Sequence, residues 1–528
     1  MASDANYDCV IVGSGINSLV CAALLAKAGK RICVLERNDR LGGCIRTEEL
    51  TVPGFTHDVM STAHPLFITS PGYAELADDL HANGLEYVNN DTPTAVVLPD
   101  NRSFIMRTSR EKNVSNMEAL SAGDGQNYQA SLALIEKNAN LIFGLLSNEL
   151  WSYATGKLLV SEFFRNGATQ TAAFFGEAMQ NSRRWLEQGF KSDLVRAMLA
   201  PWVLHTGLGP ESSMSALMNA VIAFTLEQVG MPLVKGGNYK TVEALEKIIR
   251  NNGGELLVNA DVSGIVIQRG RAAGVLTTDG KTFDARQAVV CNVTPTQLYR
   301  RLLAEADVPP EILQQADQYR YGKGDMQIHL ALDEPPDWID PELRNVILGH
   351  ITPGLDGVSK AVNEAERGLL PETATIVVGQ PTAVDPGRAL DGKWILWIQL
   401  QELPRVIKGD AAGEIETPAD GRWNETVREK YADRIVERLK QHISNLDGNV
   451  LGRKVLSPAD LEALNMNLVG GDPYSGECSI DQFFFWRPTR STKNHTTPIK
   501  DLYHIGASTH PGPGLGGVSG YLVANNLR

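Results

Sequence analysis

YDCVIVGSGINSLVCAALLAKAGKRICVLER, residues 7–37, reads as a strand, a glycine turn, a helix and a second strand closed by an acid. Tyr7 to Val12 is a short apolar run of the kind a buried parallel strand needs, and Ser18 to Ala28 carries small and aliphatic residues at helical spacing. Between them Gly13 permits a tight turn and Gly15 lets the backbone approach a pyrophosphate. The helix that follows turns its free N–H groups and positive dipole end toward the phosphates. Glu36 stands where a carboxylate accepts both ribose hydroxyls, and an acid there disfavours a 2′-phosphate. The third glycine of the G-x-G-x-x-G pattern is Ser18, a small residue at a position that mainly sets helix-to-strand packing. The unit suits FAD or NAD, not NADP.

The next segment separates these two. After Glu36 and Arg37 come Gly42-Gly43-Cys44-Ile45-Arg46-Thr47. A second glycine pair just beyond the ribose-binding acid, with Arg46, gives a second approach to the pyrophosphate of an extended FAD, which NAD dehydrogenases do not require.

With 528 residues the chain exceeds a single-core domain and divides into about two. Its net charge of −13 argues against nucleic acid and against anionic lipid as partners. Cysteines 9, 21, 33, 44, 291 and 478 show neither paired nor metal-type spacing and read as buried apolar residues of a reducing compartment, so no metal is expected. The first strand begins within about seven residues, which leaves no room for a secretory signal, and no apolar run approaches the ~18 residues of a membrane span. The expected location is cytoplasmic.

From about Pro71 to Val229 the pattern is mainly helical, with apolar residues at three and four spacing in Leu132 to Leu150 and Ser192 to Leu204. Gly236-Gly237 opens a helix, and short alternating strands end in Gln287 to Asn292. Strands are expected near Met326 to Leu332, Thr375 to Gly379 and Trp394 to Gln401, with their exposed face left open. The tail from Asp501 to Gly520 reads as a strand, a glycine-rich loop and the start of a final helix. Such a loop sets amides and a helix N-terminus against an electron-rich group. In a flavoprotein that group is the N1/C2 edge of the isoalloxazine.

With the tail included, the chain resembles the phytoene desaturase-related and amine oxidase flavoproteins, and among them the subgroup of pyridine nucleotide-disulfide oxidoreductase domain-containing protein 2. The resemblance rests on the order and spacing of Gly236-Gly237, Val262, Ala288 to Asn292, His329 to Asp333, Gly379 to Pro386, Trp394 to Gln401, Asp481 to Phe483, Arg487-Pro488 and Gly506 to Pro511. It implies an α/β fold like that of p-hydroxybenzoate hydroxylase and the amine oxidases, a Rossmann-type FAD-binding domain interleaved with an α+β substrate domain. By this likeness residues 1–70, 231–300 and 470–528 form the FAD domain, and 71–230 and 301–469 the substrate domain. Gly13, Ser14, Gly15, Asn17 and Ser18 then lie by the pyrophosphate, Glu36 at the adenosine ribose and Val262 at the adenine through its backbone, with Ile16 and Arg37 also in the cofactor site. Gly42, Gly43, Cys44, Arg46, Ser61, Thr62 and Asn292 line the cofactor. Gly506 and Ala507 flank the ribityl and phosphate side, and Gly516, Gly517 and Val518 face the flavin ring. One departure is visible: the subgroup usually has a histidine before the Gly of its Asn-x-x-x-Gly segment, where this chain has Gly470 after Asn467.

The resemblance implies an FAD-dependent oxidoreductase that oxidises or desaturates a C–C or C–N bond of a largely apolar small molecule. Alternatives are an O₂-using amine oxidase, a carotenoid-type desaturase, and a flavin-bound interaction or assembly protein without turnover. The electron acceptor is O₂, a quinone or another protein. Hydride removal by flavin N5 needs orientation and desolvation more than a proton-transfer residue. The candidates for touching ring or substrate are His510 in the tail loop, Gln482 beside the aromatic run Phe483 to Trp486, and His205. For each histidine the competing reading is a structural hydrogen bond, and for His57 and His64, which bracket Asp58 to Ala63, a covalent flavin link is the less favoured reading.

Overall fold

The computed structural model describes residues 6–528, so the first five residues of the 1–70 segment lie outside it. Its larger sheets have seven strands each. In the first, Asn6–Val12 lies between Ile32–Leu35 and Thr282–Asn292 and runs parallel to both. Glu255–Leu257 continues the sheet beyond Ile32–Leu35, and Leu502–Ile505 pairs in parallel with the far end of Thr282–Asn292. Val262–Gln268 and Arg271–Thr277 close the other edge as an antiparallel hairpin.

Parallel neighbours need a crossover, and helix Ile16–Lys27 supplies the first. Cys9 and Ile11 pack with Leu19, Ile248 and Val523, drawn from helices Ile16–Lys27, Tyr239–Asn251 and Val518–Leu527. Tyr7, Val10 and Val12 enter a separate cluster with Leu298, Tyr299 and Leu302. Cover on both faces is the reason the strand is apolar without alternation.

The second sheet runs in the order Val450–Leu456, Gly324–Leu332, Trp394–Leu403, Ile376–Gly379, Leu348–Ile351, Thr94–Val97, Ser103–Met106. All nine residues of Gly324–Leu332 are buried. Met326, Ile328, Leu330 and Leu332 join Leu396, Ile398 and Leu400 under Val427, Tyr431 and Ile435 of helix Glu425–Leu439. The alternate positions of the same strand are Asp325, Gln327, His329 and Ala331, also buried. The face left open by the sequence is therefore covered, and it mixes polar side chains with apolar ones such as Val377 and Trp397.

Of the stretch from Pro71 to Val229 expected to be mainly helical, Tyr87–Val88, Thr94–Val97 and Ser103–Met106 are strands instead, the last two completing the second sheet, and only Pro71–Ala82 and the region from Arg110 to Val229 are helical. The expected stretch from Leu132 to Leu150 is two helices, Asp124–Lys137 and Ala139–Ser147. They divide at Asn138, whose Nδ2 donates to the Leu134 carbonyl at 2.9 Å and so competes with the backbone ladder. Ser192 to Leu204 is α-helical only over Asp193–Leu199 and tightens into a 3₁₀ segment from Ala200 to Thr206, because Pro201 lacks an N–H and crowds the preceding turn. Among the described residues no helix is long and apolar enough to cross a membrane.

Candidate active site

Helix Ile16–Lys27 begins at Gly15 with no capping side chain and no acid in its first turn, so its leading N–H groups have no partner of their own. Gly13 turns the chain into it at φ +84°, a conformation that favours glycine. Gly15 forms a bridge with Gly42, and a Cβ on Gly43 would lie 3.1 Å from the Gly15 Cα. Ser14 latches this crossing: its Oγ accepts from the Gly42 N–H at 3.0 Å and donates to Glu36 Oε2 at 2.5 Å. The Ser14 and Asn38 N–H groups also donate to the Glu36 carboxylate, at 3.0 and 2.9 Å, and hold it in place at 4% exposure. Ala260 N–H bonds the Glu36 carbonyl at 2.8 Å, which brings the start of the Val262 strand beside the acid, and Arg301 takes the Val262 carbonyl at 2.8 Å.

The tail reaches the same place. Gly506 N–H donates to Ser519 Oγ at 2.9 Å, and Ser519 donates to Asn17 Oδ1 at 2.8 Å. Asn292 Nδ2 donates to Ser18 Oγ at 3.0 Å, and a Cβ on Gly506 would fall 2.2 Å from Asn292 Oδ1. At Gly520 it would fall 1.8 Å from the Asn17 carbonyl oxygen, so only glycine allows helix Val518–Leu527 to lie on the first helix. This second helix also starts without a capping side chain, at Gly517, φ +69°. Ala507 is held by buried Arg487, whose Nε and Nη2 donate to its carbonyl at 3.0 and 2.8 Å.

Gly13, Gly15, Gly43, Cys44, Ser61, Gly516 and Val518 are half-buried, whereas Ser14, Asn17, Ser18, Glu36, Thr62 and Ser519 beside them are buried. Accessible backbone thus runs between two uncapped helix N-termini, in a cradle where side chains at Gly15 and Gly43 would intrude. That arrangement fits a long dinucleotide carrying a pyrophosphate. Arg46 is steered by Glu48 at 3.0 Å, and Arg37 is exposed.

Ser61 and Thr62 differ. Thr62 is buried and turns its hydroxyl to Asp58 Oδ2 at 2.9 Å, so of these two only Ser61 is accessible. Asp58 lies at the centre of a network that no sequence motif announced. Its carboxylate accepts from Thr47 Oγ1 at 2.7 Å and Asn238 N–H at 2.8 Å, and is paired with the fully buried guanidinium of Arg388. Arg388 also bonds Asp385 at 2.9 Å and the Val234 carbonyl at 2.6 Å. The available signal was an arginine two residues beyond the Gly379-to-Pro386 motif.

The three catalytic candidates separate. His205 Nε2 lies 2.9 Å from His350 Nε2, on a strand of the second sheet, with the Trp202 ring 4.7 Å from the His205 ring. Burial drives His205 down to about 3 and His350 well below its ordinary value, so the pair is neutral and shares one N–H. Gln482 spends its amide on backbone: it accepts from Arg320 N–H at 3.0 Å and donates to the carbonyls of Arg320 and Glu477 at 2.9 and 3.2 Å. His510 Nε2 lies 3.1 Å from the Asn148 carbonyl, and its own carbonyl meets His495 Nε2 at 2.9 Å. Both brace loops. Among the described residues neither side chain hydrogen-bonds the second sheet, whereas that sheet meets the Asp58-to-Ala63 bend: Trp397 Nε1 donates to the Met60 carbonyl at 2.7 Å, and His329 Nε2 lies 3.2 Å from the Val59 carbonyl.

Comparison with known proteins agrees with this geometry. Pyridine nucleotide-disulfide oxidoreductase domain-containing protein 2 of Mus musculus is 25% identical over 572 residues, covering 98% of this chain and 93% of its own. A limonene dehydrogenase polypeptide of Castellaniella defragrans is 25% identical over 567 residues, covering 100% and 95%. A solved variant of putrescine oxidase superposes with a TM-score of 0.61 at 14% identity, over 99% of this chain and 98% of that one, a likeness of fold. The fold is a Rossmann-type FAD-binding domain with a substrate domain, the cofactor is FAD, and the chain is an FAD-dependent oxidoreductase. Residues 19–378 match the model for flavin containing amine oxidoreductases, and the chain belongs to that family.

Proposed function

We propose that the protein oxidises or desaturates a C–C or C–N bond of a largely apolar small molecule. FAD, when bound, supplies a hydride acceptor at N5. The chain's own part is binding, orientation and exclusion of water. Gly13 to Ser18 and Glu36 would hold pyrophosphate and ribose, and the uncapped N-terminus of helix Val518–Leu527 would oppose negative charge at the ring's N1/C2 edge. The observation that carries this reading is the pair of uncapped helix N-termini at Gly15 and Gly517, together with a second sheet whose buried face carries amides, neutral His350 and Asp325 held by N–H donors. Burial of that face desolvates a substrate, as hydride removal requires.

The relative named limonene dehydrogenase supports carbon–carbon chemistry, and the putrescine oxidase fold keeps amines in the test panel. Buried free cysteines are in keeping with a cytoplasmic enzyme. Electrons leave to O₂, a quinone or another protein. The test is an anaerobic screen of purified yellow protein for metabolites and amines that bleach the flavin, followed by reoxidation with a peroxide assay. Bleaching by an apolar compound is expected. A flavin that no member of a broad panel reduces, while dithionite does, favours the non-enzymatic alternative and overturns the proposal.

A further inference from the structure

The covered face of the second sheet carries more polarity than its burial requires. Gln327 stands opposite Gln399, Gln399 opposite Val377, and Val377 opposite His350, so these four side chains form one row across four adjacent strands. Gln401 lies two positions along from Gln399 on the same face. The Nε2 groups are engaged: Gln399 donates to Asp325 at 2.6 Å, Gln327 to the same carboxyl at 3.4 Å, and Gln401 to Tyr474 Oη at 3.1 Å. Among the described residues the carbonyl oxygens of Gln327 and Gln401 have no partner, although these residues are 1% and 4% exposed. Gln399 is half-buried on a central strand with neighbours on both sides, so the face opens above it. Val377 and Trp397 belong to the apolar cluster that contains Trp202 and Phe483.

A buried amide oxygen is retained where something donates to it, and a charged donor is costly to bury away from a counter-ion. His350, in the row itself, and its partner His205 are neutral, and both Asp325 oxygens already accept N–H groups from Met326, Gln327 and Gln399. We propose that Gln327, Gln399 and Gln401 form the polar floor of the substrate cavity and select an apolar skeleton bearing one neutral hydroxyl over a pure hydrocarbon or an amine. This rests on the oxidoreductase reading above and deepens it by naming the group that is recognised.

The test titrates the holoenzyme with cyclohexylmethanol, ethylcyclohexane and cyclohexylmethylamine, three probes of nearly one shape, and follows the flavin absorption. The alcohol is expected to bind at least about tenfold more tightly than either other probe. Gln399→Leu, at the half-buried position, and Gln327→Leu should each shrink that preference to about threefold or less while retaining FAD. Should Gln327→Leu fail to yield holoenzyme, Gln399→Leu decides. Equal affinities for alcohol and hydrocarbon, tighter binding of the amine, no response to any probe, or an undiminished preference in Gln399→Leu overturns the polar floor. Failure of the oxidoreductase reading has a different signature, a flavin that no metabolite reduces.

Discussion

The two sheets are both buried, but they bury different things. Asn6–Val12 puts Ile11 and Val10 into apolar clusters on its two faces. Gly324–Leu332 gives Ile328 to an apolar cluster and Gln327 to a face that includes His350, the partner of His205, and packs on the Asp58-to-Ala63 bend. A sheet apolar on both sides is a scaffold whose function sits at its strand ends, where the glycine turn and the helix N-termini are. A sheet with one buried face that carries amides and histidines is where the proposal puts substrate recognition, because buried polar groups require hydrogen-bond partners.

The largest expected effect breaks the tie between the two regions. Arg388→Met leaves Asp58 buried without its cation and should cost about 3–5 kcal/mol, measured by chemical denaturation of the holoenzyme. A loss below about 1 kcal/mol means that the network is not a joint. Next, Gly517→Val combines a left-handed φ with a Cβ 2.8 Å from Val20 Cγ2. It should cost on the order of 1–3 kcal/mol and lower flavin occupancy, and normal FAD content would remove that loop from the ring.

A pH dependence sharpens the contrast. Burial lowers His64, His329 and His504 to about 4 and His205 and His510 to about 3. The unfolded chain, with histidines near 6.5, therefore binds more protons than the folded one between these values. Stability is complete above pH ~6.5 and falls as the pH drops toward 4, by up to about 1.4 kcal/mol per pH unit for each histidine. Buried Asp325, Glu402 and Asp472 are shifted upward and work in the opposite sense, but they are fewer. Unfolding midpoints that stay flat from pH 7 to 5 would show that the histidines are not buried neutral. The smallest effect belongs to His510→Ala, which removes a loop brace: about 0.5–1.5 kcal/mol of stability, with flavin reduction rates within a few-fold of wild type at saturating FAD. A loss of roughly a hundredfold in reduction would return it to the reacting bond.

Legibility followed the same division. The glycine turn, the helix and the held acid of the first βαβ unit were readable because backbone shape carries them, and Gly13, Gly15 and Glu36 advertise that unit within thirty residues. The substrate half was not. Gln327 and Gln399 are 72 residues apart and become one row only through strand register. Asp58, Asp385 and Arg388 are an ordinary set of charges until folding removes them from water. The chain also names no substrate, since a neutral polar floor has no spacing rule.

The division of labour is tested most directly by the FAD retained after exhaustive dialysis in two variants measured side by side. Glu36→Ala removes the carboxylate that Ser14 and Asn38 hold in place and that the proposal assigns to the ribose, and should weaken FAD binding at least about tenfold. Gln399→Leu should keep about one FAD per chain, as the wild type does. Equal retention in both, or loss of FAD from Gln399→Leu with Glu36→Ala unaffected, would contradict the account.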